Sequence, residues 1–150
     1  MSQAKAIPER SQIAPEYTWN TADLYPTDQA WQEDFSRLQA MVPQLAAYAG
    51  RLGESADTLY AYVTLEQEAG ELLVKLMDYA QRKSDEDTRV PQYQAMVGKI
   101  TSQYVALSQA VSFEIPEVLR IPTETLERFY GEKPELELYR RYFTIIQDRR

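Results

Sequence analysis

The sequence contains no histidine and no cysteine. Zinc sites draw on Cys, His and carboxylate ligands, and general acid–base chemistry near neutral pH relies on imidazole more than on any other group. Their absence excludes a conventional catalytic zinc centre, a Ser–His or Cys–His nucleophile pair and any disulfide framework. Clustered positive charge is missing too. There are 16 Lys and Arg against 23 Asp and Glu, a net charge of −7. The dense basic spots, Arg140-Arg141 and Arg149-Arg150, are too small to track a phosphate backbone. Nucleic acid and anionic membrane are therefore not expected partners, since both require a basic surface. No apolar run approaches about 18 residues, so no membrane-spanning helix is expected. The opening "MSQAKAIPERSQIAP" has no apolar core of the kind a secretory leader carries. The cytoplasm is the expected compartment.

What is present is ordinary for a globular domain: 150 residues, 44% hydrophobic and 26% charged. A chain of this length can bury about 70% of the surface its unfolded form exposes. Residues 1–27 form an aperiodic lead-in, read as an extended arm and a turn-rich stretch packed on a bundle. Within it, Trp19, Leu24 and Tyr25 are expected to anchor the arm. From 28 onward the pattern is helical. Thr27 or Asp28 can cap a first helix, and Trp31, Phe35, Leu38, Val42, Leu45 and Ala49 fall on one helical face. Pro43 is expected to kink or break that helix near Met41, with Gly50 and Gly53 as the stop. Ser55 can cap a second helix, whose apolar side runs from Leu59 through Tyr62, Val63, Ala69, Leu72, Leu73, Leu76 and Met77 to Ala80. The pattern leaves open whether this helix breaks near Thr64. Glu71–Lys75 and Asp78–Arg82 have the i,i+4 spacing of ion pairs. A third helix is expected from Pro91, with Tyr93, Val97, Ile100, Tyr104, Leu107 and Val111 as its stripe. Two Ile-Pro pairs then allow at most a short helix between them. Thr123 can cap another, ending at Gly131, and Pro134 opens a last one carrying Leu138, Tyr139, Tyr142, Phe143, Ile145 and Ile146. The fold class is all-α: an antiparallel bundle of three long helices with two or three short ones and an extended N-terminal arm.

Few residues suggest chemistry. Asp85, Glu86 and Asp87 could face a hard cation, but they lack the spacing and glycine of a calcium loop; a solvated inter-helix loop is the plainer reading. The chain has 11 tyrosines. Tyr48, Tyr62, Tyr79, Tyr93, Tyr104, Tyr139 and Tyr142 lie on or beside the apolar stripes. They suit either the periphery of a core or a wall that contacts peptide. No residue is assigned a catalytic, cofactor-binding or metal-binding role.

One stretch suggests a lineage. "YTWNTADLYPTDQAWQEDF", Tyr17 to Phe35, resembles the N-terminal signature of the oligoendopeptidase F family: Trp19-Asn20-Thr21-Ala22-Asp23-Leu24-Tyr25, then Asp28-Gln29-Ala30-Trp31. "LAAYAGRLGESADTLYAYV", "LMDYAQRKSDEDTRVPQYQAM", "FEIPEVLRIPTETLERF" and "ELYRRYFTII" follow in the family's order. The likeness runs from about residue 7 to 146. Members are zinc metallopeptidases that cleave short peptides in the cytoplasm through a helical H-E-x-x-H motif and a downstream glutamate. No position here matches that motif. The resemblance implies the N-terminal helical region of a longer enzyme, as a fragment or a truncated product, with zinc held in a catalytic domain beyond it. Its implied partners are that domain and the oligopeptide substrate, beside whose cleft this region would form part of the wall or cap. The chain alone is expected to bind no zinc and cleave no peptide. Severed from its other half, such a domain could dimerise through the face so exposed; the sequence does not fix its oligomeric state. The alternative is a free-standing helical interaction module that binds a partner helix.

Overall fold

The computed structural model describes residues 8–148, so Met1–Ile7 of the arm and the Arg149-Arg150 pair lie outside the described residues. Among the described residues there are helices and no strands. Three long helices, α1 (Asp28–Ala46), α2 (Ala56–Glu86) and α3 (Pro91–Ala110), are followed by α4 (Glu114–Arg120), α5 (Thr123–Glu132) and α6 (Arg140–Gln147). No described helix is long and apolar enough to cross a membrane.

Side-chain bonds fix how the long helices run. The buried Trp31 indole N–H donates to the Leu76 carbonyl at 2.9 Å, and Arg37 reaches Glu68 at 2.8 Å. At the start of α1, Asp28 accepts from the Tyr79 hydroxyl at 2.7 Å, from Gln92 at 2.8 Å and from Tyr93 at 3.3 Å. The beginning of α1 thus meets the end of α2 and the beginning of α3, so each helix is antiparallel to the next. α2, with 31 residues, is about 46 Å long at 1.5 Å per residue. Its N-terminal half also carries α4, α5 and α6. Tyr62 packs on Phe113, Asp57 pairs with Lys133 at 3.3 Å, and Tyr139 donates to Gln67 at 2.7 Å.

Local chemistry sets the helix ends. The Thr27 hydroxyl accepts from the Ala30 amide, and that of Ser55 accepts from the Thr58 amide. Each satisfies one of the amide donors that a first turn leaves free. Gly50 takes φ +81° in the turn that follows α1, a left-handed conformation that glycine adopts at no steric cost. The stripes of α1 and α2 face inward through Trp31, Phe35, Leu38 and Leu45, and through Leu59, Tyr62, Leu72 and Leu76.

Several expectations are corrected. α1 continues through Pro43 and stops at Ala46; so near the end, proline's missing amide removes only one bond. α2, whose pattern left a break near Thr64 open, is continuous through Thr64 and Gly70. On α3 the buried residues are Met96, Ile100, Gln103 and Leu107, while Tyr104 is exposed. The inward face is rotated from the expected stripe and shares only Ile100 and Leu107 with its fully buried members. α4 includes Pro116 in its first turn, where an N–H would be unpaired in any case. Thr123 does not cap α5: Pro122 holds that position, and the Thr123 hydroxyl turns toward Gln147. α5 runs one residue past Gly131, and Pro134 opens a 3₁₀ turn, Pro134–Tyr139, ahead of α6. Met77, Leu138, Tyr142 and Ile145 are exposed.

The described part of the arm is not extended. It winds through three 3₁₀ turns, Arg10–Gln12, Pro15–Tyr17 and Thr21–Asp23. Tyr25 is its buried anchor, donating to Asp34 at 2.8 Å and meeting Tyr79 edge-on. Leu24 packs against the core beside it. Trp19 is 69% exposed, with the Arg82 guanidinium 4.0 Å from its ring centre. Lys75 lies over the Tyr25 ring at 4.2 Å. The cations expected to pair with Glu71 and Asp78 are thus turned onto the rings of the arm, a cation–π arrangement that holds it to α2.

Candidate functional site

Tyrosine hydroxyls and carboxylates meet repeatedly in this fold, and one meeting point encloses space. Glu114 begins α4 and is 6% exposed. Its carboxylate accepts from the Tyr62 hydroxyl of α2 at 2.8 Å and from the Tyr142 hydroxyl of α6. Three elements distant in sequence therefore converge on one buried charge. Val63, Glu66 and Gln67 of α2, with Tyr139 and Tyr142, complete a cavity of 290 Å³.

The electrostatics follow from burial. Desolvation first, and the Glu114 charge second, push the Tyr62 hydroxyl far above its ordinary pKa. Burial and the hydrogen bond to Glu114 raise Tyr142 in the same direction. The Glu66 carboxyl is raised, chiefly by burial and then by repulsion from Glu114. The tyrosines, neutral donors at pH 7 in any case, stay so further into the alkaline range, and charge on Glu66 is disfavoured. Neither Glu66 nor Glu114 has an ion-pair partner among the described residues.

An open groove continues along α2 from this cavity. Leu24, Glu66, Gln67, Gly70, Glu71, Val74, Lys75 and Asp78 line it, so Glu66 and Gln67 belong to both spaces. Gln67 sits at the junction, accepting from Tyr139 and donating to Glu71 at 2.9 Å.

The tyrosines singled out from sequence divide accordingly. Tyr62 and Tyr79 are buried in the core; Tyr48, Tyr93 and Tyr139 are half-buried against it; Tyr104 and Tyr142 are exposed. Most serve the core periphery, and Tyr139 and Tyr142 line the cavity. Asp85, Glu86 and Asp87 close α2, where Glu86 meets Arg10 and Lys83, and Asp87 holds Arg89 at 2.8 Å. Among the described residues no three His, Cys, Asp or Glu side chains are grouped so as to hold a metal ion. The residues present do not fit a zinc centre. Glu114 was not legible as part of any site: it stands immediately before the first of two Ile-Pro pairs, and its partners are 52 and 28 residues away.

No family model matches the chain. Individual proteins do. It is 36% identical over 137 residues to the oligopeptidase PepF of Bacillus subtilis strain 168, covering 91% of this chain and 20% of that protein. It is 30% identical, again over 137 residues, to the group B oligopeptidase PepB of Streptococcus agalactiae serotype III, covering 91% of this chain and 23% of the relative. The crystal structure of oligoendopeptidase-F from Enterococcus faecium superposes with a TM-score of 0.71 at 28% identity, over 81% of this chain and 23% of that one. The fold is thus that of a helical segment found within peptidases. Over most of its own length the chain is similar to members of the oligoendopeptidase F family, as the counterpart of about a fifth of theirs.

Proposed function

We propose that this chain is the N-terminal, non-catalytic helical region of a zinc-dependent oligoendopeptidase, forming part of the wall of a cleft that admits short peptides. The observation that carries the reading is the asymmetry of the match: 91% of this chain against 20% of the B. subtilis oligopeptidase. A protein built on that plan keeps its chemistry elsewhere, and the sequence has no histidine from which to make an H-E-x-x-H site. Zinc in such a protein would activate water for peptide hydrolysis. This region supplies none of its ligands and contributes scaffold and confinement. The cytoplasm is the compartment that suits this role.

The coding sequence beyond Arg150 tests the proposal directly. An H-E-x-x-H a few hundred residues downstream is expected. A stop codon at that point, in a gene with no peptidase reading frame after it, would favour a free-standing interaction module and sink the peptidase reading.

A further inference from the structure

The groove along α2 combines apolar and acidic side chains. Val74 is 59% exposed and Tyr142 45% exposed, so large apolar groups face solvent at both ends. Between them lies Gly70, in the interior of a 31-residue helix, where glycine is worth about 1 kcal/mol less than alanine. A Cβ built at Gly70 meets nothing within 4 Å, so no contact inside this chain requires the glycine. Four carboxylates line the two joined spaces, Glu66, Glu71, Asp78 and Glu114, against one cation, Lys75. That lysine is engaged over the Tyr25 ring. Burial and Glu114 already disfavour charge on Glu66, and an incoming cation would relieve that.

The length of the relatives supplies the occupant. About four fifths of the B. subtilis protein lies outside the match, so on the peptidase reading a large polypeptide is at hand to pack against this region. We propose that the groove from Tyr142 to Val74 is that seat, receiving an apolar ridge of the remaining peptidase polypeptide whose lysine or arginine faces Glu66 and Glu114. The inference rests on the peptidase reading above and adds the surface and the chemistry of the contact. It places the acid pair in an interface, where an exposed apolar strip rimmed by charge is at home.

The test is a chimera in which this chain replaces the matching segment of the B. subtilis oligopeptidase. Val74→Arg, Gly70→Leu and Glu66→Gln are made in it, with Val105→Arg on α3, exposed and outside the groove, as control. Thermal unfolding and hydrolysis of a fluorogenic oligopeptide are both read. The unsubstituted chimera and Val105→Arg are expected to unfold in one transition. Val74→Arg and Gly70→Leu are expected to split it into two and to lower hydrolysis at least tenfold, with Glu66→Gln intermediate. The same substitutions in the isolated chain are expected to leave its circular-dichroism melting unchanged or raised, which separates lost docking from lost folding. If the groove variants behave like Val105→Arg while the chimera still hydrolyses peptide, the groove is overturned and the peptidase reading stands. If the chimera cleaves nothing yet the groove variants still split its unfolding, the docking surface stands and the peptidase reading fails. Two transitions in the unsubstituted chimera overturn the seat.

Discussion

Glu114 shows how one charge can be kept inside a small bundle. A carboxylate at 6% exposure would be costly alone, but two phenolic hydroxyls from different helices donate to it. Hydrogen bonds to an ionised acceptor are about twice as strong as neutral ones. Removing the buried donor leaves the charge half satisfied. Tyr62→Phe is therefore expected to destabilise the chain by about 1–3 kcal/mol, measured by urea unfolding. Glu66 behaves in the opposite sense. Its folded pKa lies above its unfolded one, so between the two the native state holds more protons and stability falls as pH rises. Glu66→Gln abolishes that titration. The variant is expected to be more stable than the parent at pH 7, and the gap to close as pH falls toward about 4, the ordinary carboxylate range. A gap that widens on acidification would contradict the assignment.

At the scale of helices and turns, two glycines make opposite predictions. Gly50 sits at φ +81°, and the left-handed region costs other residues about 1–2 kcal/mol; Gly50→Ala should destabilise by that amount. Gly70 is helical with open space at its Cβ, and Gly70→Ala should stabilise the isolated chain by about 0.5–1 kcal/mol. Chemical denaturation of the pair reads both signs. The same scale explains what the sequence could reveal. α1 and α2 were legible because their apolar residues recur at helical spacing with polar residues opposite, and Thr27 and Ser55 announce their starts. α3 was legible as a helix but not as a face. Tyr93, Met96, Val97, Ile100, Tyr104, Val105 and Leu107 cover too wide an arc, and packing against α1 and α2 chooses Met96, Ile100, Gln103 and Leu107. Trp19 misled for another reason. Size alone suggests burial, whereas its ring is covered by Arg82, 63 positions away in sequence, which no local pattern signals. The cavity around Glu114 escaped for the same cause, since its members come from α2, α4 and α6 and meet only in the folded chain.

For the molecule as a whole, the acidic composition and the absence of histidine lead to a plain expectation. A chelator-washed preparation of this chain should carry no stoichiometric zinc by mass spectrometry of the metal, and should leave bradykinin-sized peptides intact; retained zinc with cleavage would contradict the proposed division of labour. The two layers of the molecule, α1–α3 and α4–α6, are also tied by a contact that carries information about motion. Glu117 of α4 accepts from the backbone amides of Gly50 and Leu52, in the turn that follows α1. Those amides belong to the turn between α1 and α2, yet they are held by a side chain 67 and 65 residues further on. Hydrogen exchange at Leu52 should then be gated by departure of α4 and keep pace with the amides of α4 itself, not with the neighbouring turn. Two amide protons in the turn after the first helix thus become a clock for the loosening of the last three.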